Sequence, residues 1–159
     1  MRIREATLED IGILAGVIRN SYQTVADVFN LTLENCPKHP SNCTEDWVSS
    51  DFSRGVSYII LESNGKIAGC AAVEKATSEL CYLERLAVLP KHRHKGFGRS
   101  LVNHVFAKAV SLGIKKISIG IIARQTDLKT WYQTIGFIEG ETKVFEHLPF
   151  DVTFMEYEL

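Results

Sequence analysis

Polar and apolar positions alternate from Arg2 to Ala6, which predicts a first strand. The period then lengthens. Ile11, Leu14, Ala15, Ile18 and Tyr22 recur at helical spacing, and Thr7 with Asp10 three residues on marks the helix start. Leu31 to Asn42 holds Pro37 and Pro40 and reads as a loop with room for a helical turn. Thr44 caps a short helix, Glu45 to Ser53, that stops at Arg54-Gly55. Three β-rich runs follow: Val56 to Glu62, Lys66 to Lys75 and Leu80 to Leu89. Asn64-Gly65 joins the first two as a tight hairpin, and a turn near Thr77-Ser78-Glu79 joins the next pair. Three antiparallel strands therefore run in succession.

Beyond Leu89 the pattern changes. Pro90 to Lys95 is polar and basic, and Leu101, Val102, Val105, Phe106 and Ala109 form one apolar helical face that ends at Gly113. Lys116 to Ala123 is an Ile-rich strand, so strand, helix and strand imply a right-handed crossover and a parallel pair. Thr126 and Asp127 open a helix that ends near Ile135-Gly136. Strands from Phe137 to Phe145 and from Val152 to Glu158 follow, separated by His147-Leu148-Pro149. The pattern describes a single α+β domain over residues 1–159, with a mixed sheet and one internal βαβ unit.

Composition narrows the function. Hydrophobic residues at 45% and charged residues at 23% give a globular chain with a sizeable core. Eighteen Lys and Arg against nineteen Asp and Glu leave a net charge of −1, which argues against general nucleic-acid or membrane-surface binding. No run approaches the ~20 apolar residues of a membrane span, and charges occupy Met1 to Glu5 where a secretory signal would be apolar, so a cytoplasmic protein is expected. The four cysteines are then expected as thiols, with Cys70 and Cys81 as small core hydrophobes. Cys36, His39 and Cys43 make a metal site conceivable. The six residues between the cysteines exceed the usual zinc spacing, and no metal is expected.

The most informative segment is Arg93-His94-Lys95-Gly96-Phe97-Gly98-Arg99-Ser100, between a strand and an amphipathic helix. Glycines there permit a tight turn and close approach to a ligand. The first amides of the helix lack internal partners and point outward, which suits an anion. Lys91, Arg93 and Lys95 add positive charge. The glycines are too close for a P-loop, and Leu101 stands where a dinucleotide fold needs a third glycine. An ordinary solvated loop remains the alternative on spacing alone.

In context, Arg93-x-x-Gly96-x-Gly98 after Leu86-Ala87-Val88-Leu89-Pro90 resembles the phosphate loop of the GNAT superfamily, the GCN5-related N-acetyltransferases. Trp131-Tyr132-Gln133-Thr134-Ile135-Gly136-Phe137 resembles that family's Tyr-x-x-x-Gly-Phe segment, and the element order agrees throughout. The resemblance implies a central mixed sheet of about six to seven strands flanked by about four helices. It implies acetyl-CoA as co-substrate, with its pyrophosphate on Arg93, His94, Lys95, Gly96, Phe97, Gly98, Arg99 and Ser100. The pantetheine arm would pair with Leu86, Ala87 and Val88. Gln125 stands where many members carry Asn, and would supply a longer but chemically similar amide.

Acetyl transfer needs an amine without its extra proton, a donor for the oxyanion and a proton for the departing thiolate. Glu84, two residues before Leu86, is the expected base, because alternation would put both side chains on one face. A salt bridge is its structural alternative. Arg85 would point to the other face. Tyr132 is the expected acid, since the family places a tyrosine there beside the thioester sulfur; a plain core aromatic is its alternative. His92, His94, His104 and His147 have no evident carboxylate partner and are not expected to act. Acceptor specificity would come from the first two helices and their loop, including Tyr22, Phe29, Glu34, His39, Glu45, Asp46 and Trp47. The segment from His147 to Phe150 would close the site or carry a homodimer contact. The expected activity is direct acetyl transfer to a primary amine of a small molecule or peptide; a non-catalytic acyl-CoA-binding regulatory module is the alternative.

Overall fold

The computed structural model describes residues 1–159. Seven strands form one sheet: β1 (Arg2–Glu5), β2 (Ser57–Ser63), β3 (Lys66–Lys75), β4 (Leu80–Val88), β5 (Lys116–Ile122), β6 (Ile138–Lys143) and β7 (Val152–Glu158). Their order across the sheet is β1-β2-β3-β4-β5-β7-β6. Four helices pack on it: α1 (Ile11–Phe29), α2 (Glu45–Ser53), α3 (Phe97–Ser111) and α4 (Thr126–Ile135). No helix is long and apolar enough to cross a membrane.

Local signals explain most boundaries. The Asp10 carboxylate accepts from the Thr7 amide at 2.8 Å, as a capping residue should, but Leu8–Asp10 is a 3-10 turn and α1 proper starts at Ile11. Asn64 and Gly65 are both left-handed, the conformation that a two-residue hairpin of the favoured twist requires. α3 starts directly after Gly96, a turn ahead of its first fully buried residue, Leu101.

The sheet separates two cores. Leu14, Ile18 and Val48 of α1 and α2 bury against Tyr58, Ile60, Cys70 and Ala72 on one face. Leu101, Val102 and Val105 of α3, with Tyr132 and Ile135 of α4, bury against Ile59, Leu61, Leu83, Ile117 and Met155 on the other. A third cluster joins Ala26, Leu31, Cys36 and Ile122, with Leu148 and Phe150 packed against it. All four cysteines are buried and unpaired. Cys36 and Cys43 belong to different clusters, and no three potential metal ligands converge.

Two features set the local geometry of β4. First, it pairs in parallel with β5 only over Leu80–Tyr82 against Lys116–Ser118. Beyond that the strands part, leaving one edge of β4 without a backbone partner. Second, the register with β3 slips between Cys70↔Ala87 and Ala72↔Glu84. Arg85 takes φ +50 there, so β4 carries one extra residue.

Candidate active site

The parted strands open a cleft of about 1030 Å³ that reaches both faces of the sheet. Its wall includes Glu84, Leu86, Ala87, Val88, Arg93, His94, Gly96, Phe97, Gly98, Arg99, Gln125 and Tyr132. Lys95 and Ser100 are off the wall. The Ser100 hydroxyl and amide both bond to the Gly96 carbonyl at 3.1 Å, which leaves Ser100 committed to the first turn of α3.

The loop before α3 has the backbone shape of an anion cradle. His94 and Gly96 are left-handed, at φ +63 and +80. After Arg93, whose amide bonds the Pro90 carbonyl, the next amide with a backbone acceptor is that of Ser100, so the amides of Gly96 to Arg99 are free. Gly98 lies under Trp131: a Cβ there would meet the indole at 3.2 Å. The Gln125 carboxamide has no partner in the chain, and its backbone amide closes the turn onto the Ile122 carbonyl at 2.9 Å.

Arg93 has a different use from the one its charge suggests. Its Nε donates to the Val88 carbonyl at 3.0 Å, Nη1 to Thr24 Oγ1 at 3.1 Å and Nη2 to the Ser21 carbonyl at 2.8 Å. The guanidinium is a clamp between α1 and β4, and the Arg93 amide is itself bonded to the Pro90 carbonyl at 3.3 Å, so Arg93 holds the loop rather than a ligand. Tyr22 makes a second clamp, donating from its hydroxyl to the Leu86 carbonyl at 3.0 Å. The carbonyls of Leu86 and Val88 are thus capped by side chains, while alternation turns the amides of the same two residues to the open edge and that of Ala87 toward β3. Such edge amides suit an extended acyl arm or an oxyanion.

The bulge at Arg85 corrects the expected parity. Leu86 packs into the core under α3 and α4, whereas Ala87 packs under α1 and α2. Glu84 shares Ala87's face, because their partners Ala72 and Cys70 lie two apart on β3. Glu84 therefore faces α1 and α2, not the side of Leu86. Arg85 turns to that same side, against expectation, and donates to Asp51 and, at 2.9 Å, to the Tyr58 hydroxyl. Burial, then the neighbouring Glu74 carboxyl, pushes the Glu84 carboxyl up to about 7, against a smaller opposing pull from Arg85.

Tyr132 enters from the opposite face. It is buried, wedged edge-on between Trp131 at 4.9 Å and Phe137 at 5.2 Å. Its hydroxyl has no partner in the chain, and burial raises its pKa, so it holds its proton. Glu84 and Tyr132 thus flank the open edge of β4 from its two sides. His94 and His147 are exposed, and His104 is half-buried on α3. His92 packs beside Phe97 with a buried, unpartnered Nε2.

Sequence reasoning missed Glu74 and Arg54, which also line the cleft. Glu74 could have been found by continuing the Asn64-Gly65 hairpin register. Arg54, just past α2, carries no comparable signal. Tyr22 and His39, named only for the acceptor region, both reach the wall, with their rings edge-on at 5.7 Å.

Known proteins place this architecture. The model of the acetyltransferase (GNAT) family matches residues 22–137. The chain belongs to that family. It is 31% identical over 137 residues to an amino-acid acetyltransferase of Azotobacter vinelandii, covering 86% of this chain and 27% of that protein. The chain therefore spans about a quarter of that relative's length. An uncharacterized N-acetyltransferase of Escherichia coli, YjgM, is 23% identical over 152 residues, covering 94% of this chain and 81% of the relative. The same fold occurs in the PaiA N-acetyltransferase of Thermoplasma acidophilum, solved with coenzyme A (TM-score 0.83, 17% identity, 99% and 98% coverage). It also occurs in the ribosomal-protein-S18-alanine N-acetyltransferase of Escherichia coli (TM-score 0.78, 17% identity, 99% and 92% coverage).

Proposed function

We propose that the protein transfers the acetyl group of acetyl-CoA directly to a primary amine of a small molecule or peptide. The observation that carries this reading is the free Tyr132 hydroxyl and the Glu84 carboxyl flanking one unpaired strand edge. The free amides of Gly96 to Arg99 fit a pyrophosphate, and the cleft runs from them to that edge. Glu84, raised to titrate near neutral pH, takes a proton in its ionised form from the acceptor ammonium, directly or through water. The freed nitrogen lone pair attacks the thioester carbonyl, an edge amide of β4 stabilises the oxyanion, and the C–S bond breaks as Tyr132 gives its proton to the thiolate; the second proton that nitrogen sheds on becoming an amide returns through water to the Tyr132 phenolate. The acceptor lies on the Glu84 side, among Tyr22, His39 and Glu74. A cytoplasmic setting agrees with four unpaired buried thiols.

A panel of amino acids, polyamines, aminoglycosides and peptides with acetyl-CoA, read by release of CoA thiol, tests this. At least one amine should give turnover above background. Tight acetyl-CoA binding with no turnover on any member would replace the enzyme with a binding module.

A further inference from the structure

Glu74 and Glu84 are diagonal neighbours across the β3–β4 pair, since Ala72 faces Glu84 and Glu74 faces Tyr82. Both lie on the α1/α2 side and both line the cleft. Glu74 is pinned from outside: Arg54 Nη1 donates to Glu74 Oε1 at 2.5 Å. The other amino group of Arg54 donates to Asp51 Oδ1 at 2.7 Å. Asp51 is buried and also accepts from the Tyr58 hydroxyl at 2.5 Å and from Arg85. Asp51 thus fixes one arm of Arg54 and aims the other at Glu74.

We infer that the Arg54–Glu74 pair is a positioning device that sets the ionisation of Glu84, a role that rests on reading Glu84 as the base. The charged and titratable groups around Glu84 are Glu74 on β3, Arg85 on its own strand, Asp51 on α2 and the Tyr22 phenol on α1. Arg85 is shared with Asp51, so its pull on Glu84 is divided. Glu74 opposes ionisation of Glu84 as a nearby like charge. Arg54 offsets part of that opposition by neutralising Glu74. The two members of the pair therefore act on Glu84 with opposite signs.

That opposition supplies the test. The Glu84 carboxyl carbon is titrated by NMR in the full unliganded chain, and kcat/KM is followed against pH with the best amine. Glu74→Gln removes the like charge, and the Glu84 midpoint should fall by about one pH unit. Arg54→Gln leaves Glu74 uncompensated, and the midpoint should rise. Arg54→Lys keeps the charge and should return it toward wild type. Arg54 is half exposed and Glu74 about a quarter exposed, so folding should survive, and melting curves check this. An unmoved Glu84 midpoint, or shifts of one sign in Glu74→Gln and Arg54→Gln, would overturn the inference. NMR midpoints that move as expected while the acid limb of kcat/KM stays still would support the pair's control of Glu84 and remove Glu84 as base.

Discussion

The Tyr22 hydroxyl donates to the carbonyl of Leu86 at 3.0 Å, tying α1 to the bulged strand at the wall of the cleft. The second phenol of the cleft, Tyr132, bonds to nothing in the chain. The half-buried Tyr22 and the buried Tyr132 therefore make different predictions. Tyr22→Phe strands a part-buried carbonyl and should cost about 1–2 kcal/mol of stability. Tyr132→Phe should leave melting nearly unchanged and slow the chemical step by about 10²–10⁴-fold. Single-turnover rates and melting curves on both variants separate the roles. A Tyr132→Phe variant as fast as wild type would make Tyr132 a packing residue.

The glycine loop before α3, read as the pyrophosphate cradle, gives a second expectation. Acetyl-CoA at about 100 times its Kd should add roughly 2.7 kcal/mol, a melting shift of about 5–10 °C for a chain of this size. Gly98→Asp puts an anion beside the free amides and presses a side chain toward Trp131. The variant's ligand-induced shift, measured against its own unliganded melting point, should vanish. A full shift would place the pyrophosphate elsewhere.

Much of this architecture was legible from periodicity. Each strand and helix has its own repeat, and Asn64-Gly65 declares its hairpin through backbone conformation alone. The parting of β4 from β5 and the bulge at Arg85 left no such trace, because both are relations between strands. One extra residue reverses alternation, which is why Glu84 and Leu86 lie on opposite faces despite their spacing. Arg93 shows a related limit. Its charge beside a glycine loop suggests an anion ligand, but the carbonyls of Ser21 and Val88, distant in sequence or on another element, claim the guanidinium. The free Tyr132 hydroxyl could be placed only through the resemblance, since spacing does not distinguish a bonded phenol from an unbonded one.

His39 predicts a pH dependence of folding. Burial pushes its imidazole down to about 4, while the unfolded chain should titrate near 6.5. The unfolded state therefore binds the proton first as pH falls. The stabilisation is complete above about 6.5 and is lost between about 6.5 and 4, at up to about 1.4 kcal/mol per pH unit. The Nδ1 atom lies 2.8 Å from the Ser41 hydroxyl and accepts from the Ser41 amide at 3.3 Å, which leaves the neutral ring's proton on Nε2. Asn at position 39 retains a polar side chain that does not titrate. Urea midpoints of His39→Asn should show a shallower fall over this window than wild type. Parallel curves would assign the acid sensitivity to other groups.

Glu84 carries the remaining expectation, and its sign follows from the proton it must take. An acceptor of lysine-like basicity is almost wholly ammonium at neutral pH, its pKa being about 10.4. If Glu84 removes that proton, Glu84→Gln should lower kcat strongly near pH 7. The deficit should shrink as the pH approaches 10, where the amine deprotonates unaided. Acetyl-CoA affinity should hold, because the phosphate loop and the edge amides of β4 involve no part of the Glu84 side chain. In the wild type, the acid limb of kcat/KM should bend near the value of about 7 to which burial and Glu74 raise this carboxyl. Activity should fall below it as Glu84 protonates, and in Glu84→Gln the bend near 7 should disappear, the limb rising instead toward the amine's own pKa of about 10.4. A deficit of the same size at every pH would make Glu84 a shape-holding residue of the bulged strand and would direct the search for the base to water held among Tyr22, His39 and Glu74.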